Sequence, residues 1–221
     1  MMHLVIAPHP DDEILGCGGV IARHQSLGEE VSVLVVSRGI SELFESELIE
    51  TTRQELRAAH EILKISQTQF LDFPAPRLDT IPRHELADAI GKVIREVQPN
   101  IVYLPHHGDL HIDHQAVFRA AMVACRPINN CSVRRVLSYE TLSETEWGAP
   151  FASEAFVPNV FVDITPYLSR KLEAMASYRS QLKSPPHSRS LQAIEAQARL
   201  RGSTISVSAA EAFMLIRDIV D

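Results

Sequence analysis

A repeated change of hydrophobic period constrains this chain most. Short apolar runs at residues 4–7, 31–36, 70–73 and 101–104 alternate with longer segments at 14–27, 49–63, 83–97 and 114–125. In the longer segments apolar residues recur at helical spacing, as with Leu56, Ala59, His60 and Leu63 on one face. The breaks carry the expected stop signals: Gly28 after the first helical segment, Pro74 and Pro76 after the third strand, Pro99 after the third helix. Strand–helix alternation of this kind predicts a mainly parallel sheet with helices on both faces, joined by right-handed crossovers. Beyond residue 130 the rhythm changes. Residues 133–139 and 159–163 read as strands separated by a polar loop, residues 167–181, 191–200 and 209–219 as helices, and residues 184–190, with Pro185 and Pro186, as a loop. No repeat or shift in composition marks a boundary. The expectation is one domain over residues 1–221, with a parallel βα core at 1–130 and a substrate-loop and C-terminal helical extension of the same fold at 131–221.

A chain of 221 residues can bury a full core without disulfide staples. Its net charge of -7 and lack of a basic run argue against nucleic acid as a partner and against docking on anionic lipid. The N-terminus has no signal-peptide pattern and no apolar run reaches membrane-spanning length. Cys17, Cys125 and Cys131 are odd in number and lack metal-binding spacing. They suit reduced thiols and a cytoplasmic location.

Two constellations carry chemistry. Pro8-His9-Pro10-Asp11-Asp12-Glu13 follows the first strand, at the strand end where open α/β sheets bind ligands. Imidazole and carboxylate are both zinc ligands, and His9 and Asp12 are close enough to grip one ion. Adjacent aspartates do not easily point the same way, so one can hold metal while the other faces a water as general base. Carboxylates also cap helix N-termini, which is the plain alternative for this cluster. A dinucleotide fingerprint fails: Gly16-Cys17-Gly18-Gly19 lies after the acidic cluster, lacks the third glycine spacing, and would set phosphate against carboxylates. The small residues instead allow close backbone approach.

The second constellation, His106-His107-Gly108-Asp109-Leu110-His111-Ile112-Asp113-His114, follows the strand at 101–104 and opens a helix. His111 and His114 are three apart, so one turn can direct both inward. Either histidine could complete a shell of two histidines and one carboxylate, the pattern of a catalytic zinc with an open position. The other would serve as an imidazolium acid for the oxyanion and the leaving amine. Asp113 or Asp109 could fix a ring tautomer. His106 and His107 receive no role.

Taken together, His-Pro-Asp-Asp-Glu, Gly-Cys-Gly-Gly and the later His-x-Asp-His resemble the PIG-L/LmbE-like family of N-acetylglucosaminyl deacetylases. So do Thr52-Arg53-Gln54-Glu55-Leu56, Arg201-Gly202 and Ala210-Glu211-Ala212-Phe213, and the likeness covers nearly the whole chain. The resemblance implies a Rossmann-like three-layer α/β sandwich and one Zn2+, or another divalent ion, held by His9, Asp12 and His114. It implies Asp11 as general base, His111 as general acid tuned by Asp113, and Arg53 as a contact to the sugar. Glu140 and Arg189, in polar loops that vary in such proteins, are further candidates for substrate binding. Ala209 departs from the pattern, because some members carry a tyrosine there. The activity implied is hydrolytic removal of an N-acetyl group from a small amino-sugar substrate. The alternatives are amidase action on a thiol-sugar conjugate and a non-catalytic metal- or sugar-binding protein. A homo-oligomer is compatible with the resemblance.

Overall fold

In the computed structural model, which describes residues 1–220, one seven-stranded sheet organises the chain. Its strands are β1 (Met2–Ala7), β2 (Glu30–Gly39), β3 (Gln67–Ala75), β4 (Ile101–Leu104), β5 (Arg135–Tyr139), β6 (Val160–Asp163) and β7 (Ala210–Asp218). The order across the sheet is β3-β2-β1-β4-β5-β7-β6. The first five strands run parallel, and β7 is antiparallel to both of its neighbours.

Helices α1 (Asp12–Ser26), α2 (Ser46–Leu63), α5 (Leu168–Ala176) and α6 (Leu191–Ser203) bury their apolar stripes on one face, through Ile14, Val20, Leu56, Ala59, Met175 and Ile194. Helices α3 (Arg83–Val97) and α4 (Ile112–Ala124) cover the other through Leu86, Ile90, Val117 and Ala121. The sheet supplies both layers by alternation: Val5 faces one and Leu4 and Ile6 face the other. The predicted three-layer α/β sandwich is therefore present.

One expected element is wrong. Residues 209–219, read as a helix, form β7, so the C-terminal extension is not wholly helical. Ala210, Glu211, Ala212, Met214 and Leu215 are good helix formers, but their intrinsic preference is weak beside the ladders offered by β5 and β6. The helix expected at 167–181 is also shorter, with a one-turn 3-10 segment at Thr165–Tyr167 ahead of α5.

Contacts at α1 explain its glycines. A Cβ on Gly16 would lie 2.2 Å from the ring of Tyr139. That ring is fully buried, and its hydroxyl donates to the Ile6 carbonyl at 2.9 Å. Gly19 meets Ile164 in the same way, at 2.6 Å. The helix can thus lie against the sheet and hold its N-terminus at the mouth of β1. Glu211 of β7 ties the helix down from behind: its carboxylate accepts the Gly19 and Val20 N–H groups at 2.8 and 2.7 Å and the buried Lys171 ammonium at 2.6 Å.

Candidate active site

The strand order reverses between β1 and β4, and crevices at such switch points bind ligands beyond the strand ends. Both constellations open there, the first into α1 and the second into α4. His9 Nδ1 lies 3.3 Å and His114 Nε2 3.2 Å from the same oxygen, Asp12 Oδ2. One donor atom from each of His9, Asp12 and His114 falls within 4.8 Å of the other two.

Outer partners aim these rings. His9 Nε2 faces Asp113 Oδ2 at 3.1 Å, and His114 Nδ1 faces Asp109 Oδ2 at 2.8 Å. Each carboxylate can hold the N–H of its ring, so the opposite nitrogen, turned towards Asp12, is the one that can give up its proton to an ion. Asp113 is itself braced by the Leu78 N–H at 2.9 Å, and Asp109 by the Thr145 hydroxyl at 2.6 Å. Asp113 was expected to tune His111. Its carboxylate hydrogen-bonds His9 and acts on His111 through charge, raising that ring against burial, while its backbone N–H reaches His111 at Nδ1, 3.1 Å away. The reason is helical geometry: His111 is the N-cap of α4 and accepts the N–H two residues on.

The fit to a cation is visible in what this cluster leaves unpaired. His114 Nε2 and Asp12 Oδ1 are buried without a hydrogen-bond partner, an expensive condition unless something else meets them. Charge points the same way. Burial opposes a charged His114, yet Asp12 and Asp109 outweigh it and raise the ring to about 10. The pocket favours positive charge at this point, and two nitrogens with one carboxylate oxygen suit a catalytic divalent ion with an open position.

Asp11 diverges from Asp12, as adjacent carboxylates must. It takes φ 109° and ψ -25°, a left-handed conformation unusual for aspartate, with a cost of about 1–3 kcal/mol. Glu13 holds it there, accepting the Asp11 N–H at 3.1 Å. Glu13 is in turn fixed by the Tyr178 hydroxyl at 2.5 Å and by His60 Nε2 at 3.1 Å. Burial raises the Asp11 carboxyl to about 7; Asp12 and Glu13 add to the rise, and Arg189 opposes it. His111 is lowered to about 4 by burial and by the neighbouring His9 and His114.

A cavity of about 350 Å³ opens over this cluster. His9, Asp11 and His111 form its floor, and Arg53, Arg189, Phe44 and Phe70 stand among its walls. Arg189 donates to Asp11 Oδ2 at 2.8 Å and to the Ser143 hydroxyl at 2.6 Å. Arg53 pairs with Asp72 and lies over the Phe70 ring, 4.2 Å from its centroid. Of the expected substrate residues, Glu140 does not belong to this cavity. Its carboxylate is occupied by a two-pronged bond to Arg201, at 2.7 and 2.6 Å. That pair joins the end of β5 to α6, which accounts for both residues structurally.

The sequence reading missed Glu13 as a positioning group, although it sits inside the first motif. It also missed Tyr178 and His60, which no local pattern connects to residue 13. His106 and His107 now have places: their Nε2 atoms meet the carbonyls of Glu154 and Ser153 at 2.7 and 2.8 Å, pinning the loop before β6.

A parallel-core α/β sandwich with an acid–imidazole cluster at its switch point is an architecture suited to hydrolytic enzymes. Residues 4–125 match the PIG-L family, described as GlcNAc-PI de-N-acetylase, and the chain belongs to that family. Among its relatives, the uncharacterized deacetylase YaiS of Escherichia coli is 32% identical over 183 residues, covering 80% of this chain and 90% of YaiS. A probable N-acetyl-alpha-D-glucosaminyl L-malate deacetylase 2 of Bacillus cereus is 30% identical over 190 residues, covering 80% and 82%. Among solved structures, the conserved protein TT1542 of Thermus thermophilus superposes with a TM-score of 0.77 at 27% identity, covering 99% of this chain and 96% of that one. The relatives are deacetylases, hydrolases of amide bonds, and this chain is an enzyme of that class. No helix among the described residues is long and apolar enough to cross a membrane.

Proposed function

We propose that this protein removes the N-acetyl group from a small N-acetylglucosamine-type sugar, with a zinc ion held by His9, Asp12 and His114. The observation that carries the reading is the convergence of those three donors beside a separately aimed carboxylate, Asp11, at the floor of an open cavity. The sugar class rests on the family and on relatives whose names specify N-acetylglucosaminyl substrates.

When bound, the ion supplies a Lewis acid that eases deprotonation of water and polarises the amide carbonyl. The remaining steps fall to the chain's own groups. Asp11, with a carboxyl near neutrality, accepts the proton of the attacking water. His111 enters neutral rather than as the imidazolium expected from sequence, because burial opposes its charge. Its Nδ1 accepts the Asp113 N–H, so its proton sits on Nε2, where it can donate to the carbonyl oxygen as negative charge gathers there. The carbon–nitrogen bond breaks as Asp11 returns its proton to the departing nitrogen, giving acetate and a free amino sugar. Arg53 and Arg189 line the route by which the sugar enters.

The test is an acetate-release screen of the zinc-loaded enzyme over N-acetylated sugars, free, phosphorylated and nucleotide-linked. Stoichiometric acetate and amine from one of them supports the reading. Release of a larger acid from a thiol-sugar conjugate, with none of acetate, would replace it with the amidase reading. Absence of any hydrolysis would leave a metal- or sugar-binding protein.

A further inference from the structure

Ser143, in the loop that follows β5, takes φ 73°, a left-handed conformation that persists in a side-chain-bearing residue only where its surroundings hold it. Here they do. Ser143 is 3% exposed, and its N–H donates to both oxygens of Glu146, at 2.7 and 2.9 Å. The backbone does not call for serine, because glycine takes the same conformation without strain. What the position uses is the hydroxyl. It donates to Glu144 Oε1 at 3.3 Å and accepts the Arg189 Nε–H at 2.6 Å.

Arg189 is also held through its backbone. Its N–H donates to His187 Nδ1 at 3.0 Å, its carbonyl accepts the Lys183 N–H at 3.1 Å, and the next residue, Ser190, caps α6. Ser143 then fixes the planar guanidinium at Nε, and Nη1 donates to Asp11 Oδ2 at 2.8 Å. Asp11 Oδ1 has no hydrogen bond among the described residues. One oxygen of the base is thus pinned and the other is left for the attacking water. The loop that carries Ser143 is registered on the second constellation too. Thr145 donates to Asp109 Oδ1 at 2.6 Å, and Asp109 orients His114. The Glu144 carbonyl accepts the Leu110 N–H at 3.0 Å, one residue before His111. Residues 143, 144 and 145 therefore join the base to the His111–His114 segment, although Ser143 itself is not a lining residue of the cavity.

We propose that Ser143 is a positioning residue for the deacetylation: through Arg189 it aims the Asp11 carboxylate and keeps it in register with His9, Asp12 and His114. The proposal rests on the reading of Asp11 as the base. Ser143 touches neither the base nor the route of the sugar, so its contribution is orientation and belongs in kcat. A reacting group displaced by about 1 Å can lose about 10²-fold in rate.

The experiment is a double-mutant cycle on the zinc-loaded full chain, with acetate release resolved into kcat and KM at the pH optimum of each variant. Ser143→Gly keeps the backbone conformation and removes the hydroxyl. It is expected to lower kcat about 10²-fold, to change KM little, and to leave the zinc bound per chain and the urea midpoint as in the wild type. In an Arg189→Gln background the same substitution is expected to cost nothing further, because the group through which the serine acts is gone. An unchanged kcat in Ser143→Gly overturns the proposal. So does a full additional loss in the Arg189→Gln background, or a rise in KM alone, which would mark a contact to bound substrate. A fall in kcat accompanied by loss of zinc or a lowered urea midpoint would make the serine a structural residue and overturn it equally. Absence of acetate from the wild type with every N-acetylated sugar overturns the deacetylase reading beneath it. Release by the wild type together with any of the failures above discards the positioning role alone.

Discussion

At the scale of single residues, the site works by giving neighbouring side chains of one type different environments. Asp12 and Asp11 are adjacent, yet the coupling of Asp12 to His9 and His114 outweighs its burial and holds its carboxyl well below the usual range. Asp11, held by burial near 7, can both take and return a proton. Asp11→Ala should therefore keep its bound zinc, counted per chain, while turnover falls about 10²–10⁴-fold, the contribution of a placed base. Undiminished acetate release by that variant would refute the assignment. Arg189 makes a subtler prediction. Its guanidinium lowers the Asp11 carboxyl against the effect of burial. Removing that charge in Arg189→Gln should raise the Asp11 pKa. The base functions only when ionised, so the acidic limb of kcat/KM against pH should move to higher pH than in the wild type, both enzymes carrying the same ion. An unmoved or lowered limb would mean that Arg189 does not govern the base.

At the scale of elements, α1 matters most, because it carries Asp12 and Glu13 on a backbone pressed close to the sheet. Gly16→Ala would drive a methyl group into the Tyr139 ring, which its hydrogen bond to Ile6 prevents from retreating. A loss of about 1–3 kcal/mol is expected for such overpacking, read as a lowered urea midpoint with an unchanged slope. Glu211→Ala should cost more, about 3–5 kcal/mol, because the buried Lys171 ammonium would lose its counter-charge and keep only the Leu15 carbonyl. Much of this architecture was legible in the sequence: the first four strands and helices follow from alternating period and glycine and proline stops. The nature of β7 was not. A nine-residue segment rich in good helix formers becomes a strand only because two partner edges await it, and that information lies in residues 135–139 and 160–163. The two short motifs narrowed the candidate ligands to His9, Asp12 and one of His111 and His114, and only the family resemblance singled out His114. The bracing of Asp11 by Tyr178 spans 165 positions through Glu13, and no local pattern reports contacts of that range.

At the scale of the whole molecule, the proposed reading makes the cluster of His9, Asp12 and His114 a place where the fold stores charge for a cation, and metal removal should expose this. A chelator should abolish acetate release, and zinc should restore it. The ion's contribution to stability follows mass action, about 2.7 kcal/mol at one hundred times Kd and 4.1 at a thousand. For a chain this long that corresponds to a fall in Tm of roughly 5–15 °C. The metal-free protein should also acquire a pH dependence that the loaded one lacks. In the metal-free cluster Asp12 and Asp109 raise His114 to about 10, above its value of about 6.5 in an unfolded chain. A group raised on folding adds stability that is complete below its unfolded pKa and is lost as pH rises through its folded one. Between pH 7 and pH 10 the metal-free Tm should therefore fall further than the loaded Tm, since a ligating His114 has already given up that proton. Parallel melting curves across this range for the two forms would mean that the proton and the ion do not share one position between His9, Asp12 and His114.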